Sequence, residues 1–249
     1  MNIYISNRVL WLTLSISFFL AIVGCGGEDG YRDISDYYFP VDDMEEGYVY
    51  LYDVYEGLPY TKDVWFYKKV EDEEEGKVFL SAQQYDAGFN VVQFQLQSIT
   101  ASGALLDQNV FYSTSEDGRA VPNESRIEED NHFPFLVKDS LGVFLSSLVF
   151  WDIRDSTEIT LVRNRRFLRD TVVDLWGSNT PAIVMGVREA YDYNKEGVLT
   201  VESSGIEIYA KNIGLIYSKK MIQDSFEVSF GLDTFYYMDN FLEEIELQH

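Results

Sequence analysis

Four arginines lie within seven residues of one another in a strongly acidic chain, at Arg163, Arg165, Arg166 and Arg169. If this segment is a strand, Arg163, Arg165 and Arg169 point to the same face. A guanidinium fork binds a carboxylate or a phosphate through paired hydrogen bonds. The cluster therefore predicts a site for an anionic headgroup, a glycan or an acidic partner. The alternative is ion pairing with nearby acids, namely Asp155, Glu158, Asp170 and Asp174.

Aromatic side chains form a second group that could bind a ligand. Tyr48, Tyr50 and Tyr52 share one face of a predicted strand, and Trp65 lies in the next predicted strand. Such faces can stack on sugars or line an apolar groove, but they also build hydrophobic cores. We therefore regard these four residues as candidate ligand-binding residues, with a role in the core as the alternative.

Residues that commonly carry catalysis or bind metals are scarce. The chain has two histidines, His132 and His249, and one cysteine, Cys25, which excludes a zinc site built from histidine and cysteine. A Ser–His–Asp triad would have to use His132, and no Gly-x-Ser-x-Gly segment accompanies it. Paired carboxylates of the glycosidase type cannot be singled out among 42 acids. We expect no catalytic residues, no cofactor and a non-enzymatic protein, with a carboxylate-dependent hydrolase as an alternative.

One segment resembles part of a calcium-binding loop. Residues 192–197 match its first half, but the last ligand position, which should be a bidentate glutamate, is Ser203. The flanking residues alternate as strands do, whereas a calcium loop of this type lies between helices. A hairpin turn explains the same residues, and we expect no metal site.

The charge of the chain limits the classes of molecule that it can bind. The formal charge is −23, from 42 acidic and 19 basic residues. Nucleic acid is excluded as a partner, because its binding depends on contacts between Lys or Arg and phosphates. Anionic lipid headgroups are repelled as well, so attachment to a membrane has to come from a covalent lipid.

Residues 1–24 have the pattern of a secretory signal peptide. Arg8 supplies a positive charge, and the apolar stretch over residues 9–23 is shorter than the ~20 residues that span a bilayer core. The stretch ends in Ile22-Val23-Gly24-Cys25, which resembles the lipobox of bacterial lipoproteins. The resemblance implies cleavage before Cys25 and attachment to its sulfur of a diacylglycerol, whose acyl chains include palmitate. The alternative is an uncleaved membrane anchor.

Residues 25–36 are interpreted as a polar, lipidated tether, and residues 37–249 as a single β-rich domain. In the sorting pattern of such lipoproteins an aspartate after the cysteine retains the protein at the inner membrane. Gly26 stands at that position, which implies the outer membrane. Residues 26–29 are also similar to the acidic leader of surface-exposed lipoproteins in Bacteroidetes, which implies surface exposure.

The mature chain reads as a series of short strands. Alternating segments are separated by Asp- and Gly-rich turns, such as those at residues 86–88, 116–118 and 194–197. We predict an all-β, mainly antiparallel fold, with a single curved sheet or half-barrel of about 10–12 strands. Residues 122–131 are interpreted as a polar loop. Residues 140–151 carry apolar residues at helical spacing, which predicts one helix packed on the sheet, with a buried strand pair as the alternative.

Two segments carry a further resemblance. Tyr38-Phe39-Pro40-Val41, followed by Gly47-Tyr48-Val49-Tyr50, resembles the opening of Bacteroidetes lipoproteins that begin with an aromatic first strand. The segment from Tyr209 to Ile216 is similar to a late glycine-containing strand of the same proteins. The resemblance implies a curved antiparallel sheet around a helical plug, as in the half-barrel of the lipoprotein carriers LolA and LolB.

These features predict a membrane-anchored envelope lipoprotein, held by lipid on Cys25, that binds an apolar or amphiphilic ligand or a partner protein. A surface glycan-binding component is an alternative. The position of the Tyr and Trp side chains distinguishes the two hypotheses. A closed apolar cavity favours a lipid-type ligand, whereas a flat exposed platform favours a sugar.

Overall fold

The computed structural model describes residues 30–57, 61–86, 88–115, 119–138, 142–152, 156–195 and 197–241. Most of these residues lie in strands. The strands are β1 (Arg32–Asp33), β2 (Tyr48–Glu56), β3 (Lys62–Asp72), β4 (Lys77–Tyr85), β5 (Val91–Ile99), β6 (Gly103–Thr114), β7 (Ala120–Glu124), β8 (Arg126–Pro134), β9 (Leu136–Val137), β10 (Phe144–Asp152), β11 (Thr157–Leu175), β12 (Ser178–Asn194), β13 (Val198–Ala210), β14 (Gly214–Ile222) and β15 (Phe226–Tyr237).

Helical structure is confined to short pieces. Single 3₁₀ turns occur at Ser35–Tyr37 and Val41–Asp43, and a helical turn begins at Met238. Among the residues that the structure describes, no helix combines the length and the apolar character needed to cross a membrane.

Twelve strands form a closed antiparallel barrel. Around the ring the order is β5, β4, β3, β2, β15, β14, β13, β12, β11, β10, β8 and β6, and β6 pairs with β5 to complete it. β7 adds to β6 as an extra strand, and β1 pairs with β9 separately. The prediction of an all-β antiparallel fold of about 10–12 strands is confirmed. The sheet curves further than a half-barrel and closes, which removes its free edges.

The turns follow the chemistry of their residues. Between β4 and β5, Asp86 Oδ1 accepts hydrogen bonds from the backbone N–H groups of Gly88 and Asn90, both at 2.8 Å. Between β11 and β12, Trp176 and Gly177 both have positive φ, 51° and 82°, which suits a two-residue hairpin turn. The tight turn keeps β11 and β12 in register over most of their length, and this hairpin carries the arginine cluster.

The segment over residues 32–44, which we call the N-terminal plug, fills one end of the barrel. Its backbone is hydrogen-bonded to the loops that lie at that end of the barrel. The N–H of Ile34 donates to the backbone oxygen of Phe135 at 2.7 Å, and the N–H of Asn212 donates to that of Asp36 at 2.7 Å. The plug is therefore tied to β9 on one side and to the β13–β14 turn on the other.

Aromatic packing holds the plug in the core. The ring of Tyr38 lies 5.0 Å from that of Phe133 and 5.7 Å from that of Phe135, measured between centroids. Phe39 stacks on Tyr67 at 4.1 Å. Aromatic pairs at these distances stabilise a core beyond the area that they bury.

The folded part of the chain begins earlier than Tyr37. Arg32–Asp33 is a strand, and Ile34 is fully buried, so the interpretation of residues 32–36 as part of a tether is wrong. The polar composition of this stretch conceals one apolar residue that anchors it. The lipidation site at Cys25 and the signal peptide lie outside the described residues.

The predicted helix over residues 140–151 is also wrong. Phe144–Asp152 is strand β10, which pairs with β8 and β11, and residues 139–141 lie outside the described part. Leu148 packs inward whereas Leu145 is 38% exposed, so the helical spacing of apolar residues arose from two opposite faces of one strand. The described interior holds no α-helical plug of the kind that the resemblance implied; the N-terminal plug, whose helical structure is limited to two 3₁₀ turns, packs there instead.

Candidate functional site

The inner wall of the barrel carries a band of buried charged side chains. Arg163 and Arg165 alternate along β11 with the outward-facing Asn164 and Arg166. Both inward-facing guanidiniums enter the lumen, and Arg165 is only 5% exposed. A charge buried to this extent requires a partner, because desolvation otherwise opposes its ionisation strongly.

Arg165 is paired with Glu207 on β13. Arg165 Nε lies 2.8 Å from Glu207 Oε2, and Arg165 Nη1 donates to the backbone oxygen of His132 at 2.6 Å. The Tyr209 hydroxyl donates to the same carboxylate at 2.8 Å. Burial alone would raise the pKa of Glu207, but the Arg165 guanidinium outweighs it and lowers that pKa to about 2. Glu207 is therefore ionised at neutral pH.

A second ionic cluster lies beside the first. Glu189 on β12 accepts hydrogen bonds from Arg163 Nε and from Lys220 Nζ, the latter at 2.9 Å, and Ser203 Oγ donates to it at 3.2 Å. Burial opposes ionisation here too, yet the two neighbouring cations hold the pKa of Glu189 well below its ordinary value. Three cations thus face two carboxylates in these two clusters, which together carry one net positive charge.

A ladder of side-chain amides crosses the lumen from the N-terminal plug. The Tyr38 hydroxyl donates to Gln97 Oε1, and Gln97 Nε2 donates to Gln95 Oε1 at 3.3 Å. Gln95 Nε2 and Gln93 Nε2 both donate to Asn109 Oδ1, at 3.2 and 2.7 Å. Satisfied networks of this kind make a polar interior tolerable and fix the orientation of its groups.

A pocket of about 200 Å³ lies within the lumen where these groups meet. One part of its wall is polar and is formed by Gln93, Gln95, His132, Ser146 and Arg163. The other part is apolar and is formed by Leu106, Phe111, Leu148, Phe150, Leu161 and Tyr191. An enclosed space with one apolar and one polar, cationic wall suits a small amphiphile.

His132 contributes a neutral imidazole to this pocket. Burial lowers its pKa well below the ordinary value near 6.5, and the positive charges of Arg165 and Arg163 lower it further. The ring can therefore donate from one nitrogen and accept at the other.

We expect the stability of the protein to fall below about pH 6.5 because of His132. The folded-state pKa lies below the unfolded value, so the unfolded chain takes up this proton first as the pH decreases. The loss approaches about 1.4 kcal/mol for each pH unit below that point. Urea unfolding of the His132→Gln variant should lack this component between pH 7 and 5.5, whereas His249→Gln should keep it. Equal slopes in the wild type and His132→Gln would contradict the assignment.

The structure separates the four predicted arginines. Arg163 and Arg165 share the lumen face, Arg166 lies on the outer face, and Arg169 is exposed. A bulge between Phe167 and Arg169 shifts the register, so the expectation that Arg169 shares a face with Arg163 is wrong. The two lumen arginines form ion pairs, as the alternative interpretation had it, but their partners are Glu189 and Glu207 of later strands and not the nearby acids.

The predicted aromatic residues belong to the core. Tyr48, Tyr50 and Tyr52 are at most 7% exposed. The Tyr50 and Tyr52 hydroxyls donate to the backbone oxygens of Ile213 and Leu215, at 2.8 and 3.0 Å. Trp65 is partly buried and donates to Asp63. These four side chains therefore do not form an exposed platform for sugars.

The acidic segment with a partial calcium-loop pattern is a hairpin connection. Asp192 Oδ1 accepts a hydrogen bond from Thr200 Oγ1 across β12 and β13 at 2.6 Å. Within the described ranges, no cluster of three His, Cys, Asp or Glu side chains is arranged to hold a metal ion.

Sequence reasoning missed the groups that complete the lumen. Glu189, Glu207 and Lys220 look like surface charges in alternating strands, and only the register of three strands brings them to the arginines. A usable signal existed in β5, where Gln93, Gln95 and Gln97 alternate with the apolar residues Val92, Phe94 and Leu96. Such a polar face opposite an apolar face indicates a wet or hydrogen-bonded barrel interior.

Comparison with known proteins extends the description of the fold. No protein-family model and no curated protein matches the chain. A candidate lipoprotein from Parabacteroides distasonis is similar in structure, with a TM-score of 0.53 and 13% identity over 82% of this chain and 100% of the other. A candidate exported protein with a YmcC-like fold from Bacteroides fragilis has a TM-score of 0.54 and 14% identity, over 80% and 98% of the two chains. At these identities the likeness shows a shared fold.

Proposed function

We propose that this chain is a non-enzymatic lipoprotein of the cell envelope that binds a small amphiphile in the lumen pocket. The observation that carries the proposal is the division of the pocket wall into an apolar part and a polar, cationic part. An acyl or aryl group would pack against Leu148 and Leu161. A carboxylate or similar head would meet Arg163 and the neutral ring of His132.

The size of the pocket limits the ligand. Its volume of about 200 Å³ is below the ~300–1,000 Å³ that is typical of drug-sized ligands. A single short acyl chain or a substituted aromatic acid fits this space, whereas a diacyl lipid does not. Arg163 is suited to the head group because it lines the pocket and its guanidinium is held in place by the hydrogen bond from Nε to Glu189.

The state of the two carboxylates that pair with the lumen arginines supports a binding protein over a hydrolase. Glu189 and Glu207 are held ionised by adjacent cations, so neither holds the proton that a general acid must donate at neutral pH. Their oxygens are occupied by hydrogen bonds from Arg163, Arg165 and Lys220. Such carboxylates orient arginines and do not resemble an acid–base pair.

The proposed location rests on two independent supports. The lipobox-like segment ending at Cys25 provides a lipid anchor, and Gly26 after it favours the outer membrane. The two proteins of similar fold are described as a candidate lipoprotein and a candidate exported protein. We infer a lipid-anchored position at the outer membrane, with exposure at the cell surface as the finer part of the proposal.

Native mass spectrometry tests the ligand hypothesis. Residues 30–249, produced with export in a Gram-negative host, should carry a bound species of a few hundred daltons that is released on collisional activation. The Ser146→Leu variant fills the pocket and should lose the species, or bind it at least about tenfold more weakly. The matched control Ser204→Leu, on the outer face, should retain it. A bare mass for the wild type, followed by no binding of medium-chain fatty acids, would contradict the proposal.

A further inference from the structure

The outer wall of the barrel has a groove of about 580 Å³ across β11, β12 and β13, on the opposite face of the sheet from the lumen arginines. None of the described residues that line it is acidic, although the chain has 42 acids. Its polar side chains are Asn164, Arg166, Arg188 and Ser204. The charged side chains that line this groove are therefore all basic.

The two groove arginines have unused binding capacity. Within the ranges that the structure describes, Arg166 and Arg188 make no ion pair, whereas Arg163 and Arg165 on the other face are both paired. Both groove arginines are exposed. Each guanidinium can therefore offer its fork of N–H donors to a ligand.

Strand register brings these arginines together. Arg166 is opposite Gly186, and Arg188 is opposite Asn164, so the arginines are diagonal neighbours on one face. Diagonal positions are about 7–8 Å apart, a distance that two long side chains span easily. The lack of a side chain at Gly186 lets Arg166 lie close over β12, since a Cβ there would come within 3.3 Å of Arg166 Nε. Both guanidiniums can thus reach one group beside Gly186.

A third polar group at this point lacks a partner. Asn164 Oδ1 is buried and makes no hydrogen bond, and an unsatisfied buried amide is costly. A half-turn of the amide about its Cβ–Cγ bond replaces Oδ1 with Nδ2 and presents a donor at the same place. Asn164 is opposite Arg188 and two positions from Arg166 on the same face, so this amide adjoins both arginines.

We propose that this groove binds a phosphate monoester. A single guanidinium fork satisfies a carboxylate, whereas two forks and an amide match the three oxygens and double charge of a phosphate. Repulsion between the phosphate and the acidic residues of the chain is screened beyond about 8 Å at physiological salt. The basic groups near the groove therefore determine whether the anion binds. Apolar side chains at Val143, Leu168 and Ile206 border the groove and suit an apolar substituent on the ester.

The experiment uses the full chain in a neutral maltoside detergent. Inorganic phosphate is titrated into the protein, and binding is followed by isothermal titration calorimetry and by the ¹⁵N–¹H NMR signals of the arginine Nε groups. A second titration uses phosphatidic acid in the same detergent. Arg166→Gln and Arg188→Gln should each weaken binding at least about tenfold. Arg169→Gln, an exposed arginine of the same strand that does not line the groove, should change affinity less than about twofold.

Glutamine at these exposed positions leaves the core intact, so a loss of binding in a variant reports on the groove and not on misfolding. Binding of both probes assigns the site to a free phosphate group, and binding of phosphatidic acid alone assigns it to a lipid headgroup. Either result supports the proposal if it depends on Arg166 and Arg188. No binding of either probe by the wild type, or unchanged affinity in both variants, would overturn it. The result is independent of the lumen pocket, which Arg166 and Arg188 do not line.

Discussion

Replacing Glu207 with alanine should lower the free energy of unfolding by about 3–5 kcal/mol, because it leaves the Arg165 guanidinium buried without its counter-charge. Both side chains are nearly inaccessible to water, at 6% and 5% exposure, so solvent cannot compensate. The Tyr209 hydroxyl loses its acceptor as well. Chemical denaturation at pH 7 measures the loss.

Two comparisons separate the ion pair from general damage to the core. The double variant Arg165→Met/Glu207→Leu removes both charges and should recover most of the stability. Arg166→Ala, one residue along on the outer face, should change stability by less than about 0.5 kcal/mol. A loss in Glu207→Ala no greater than that in Arg166→Ala would show that the lumen pair is hydrated.

The pH dependence of the Glu207 effect follows from its pKa. The folded-state pKa is about 2, below the ordinary value of 4.5, so the carboxylate contributes stability above about pH 4.5 and loses it as the pH falls toward 2. The difference between the wild type and Glu207→Ala should therefore shrink over that range. A difference that is constant from pH 7 to pH 2.5 would point to packing as its source.

Replacing Tyr38 with alanine should cost about 3–5 kcal/mol, as for other large buried aromatic side chains. The ring is 3% exposed and packs on Phe133 and Phe135. Its loss leaves a cavity beneath the N-terminal plug and frees Gln97 at the foot of the amide ladder. Differential scanning calorimetry should show a large decrease in Tm.

The matched control is Tyr38→Phe, which keeps the ring and removes the hydroxyl that donates to Gln97. It should cost about 1 kcal/mol. Limited proteolysis adds a local measurement, because Tyr38→Ala should expose residues 32–44 to cleavage before the barrel opens. A Tyr38→Ala protein as stable as Tyr38→Phe would mean that the plug contributes little to the fold.

Local patterns were sufficient to predict the strands but not the closure of the sheet. Alternation in residues 48–55 and the Asp86-Ala87-Gly88 turn identify strands and their ends, because side-chain period and turn chemistry are local properties. Closure depends on tilt and shear summed over twelve strands, which no single segment reveals. The polar loop expected at residues 122–131 is instead parts of β7 and β8, whose pairing with β6 and β10 overrides their polar composition.

The sequence was sufficient to identify part of the candidate site. The arginine spacing correctly placed Arg163 and Arg165 on one face, because strand alternation decides it. A one-residue bulge after Phe167 moved Arg169 away, and bulges have no reliable local signal when no glycine marks them. The partners Glu189 and Glu207 lie 26 and 42 residues further along, so only tertiary register identifies them.

The pairing of β2 with β15 has a consequence for how the chain folds. Every other junction of the ring joins strands that are close in sequence, whereas this one joins Tyr48–Glu56 to Phe226–Tyr237. The barrel therefore cannot close until the last strand has been released, and contacts of such high sequence separation form slowly. Until then β2 and β14 are free edges, which are templates for misassembly. A chaperone that accompanies the unfolded chain would have to shield those two strands.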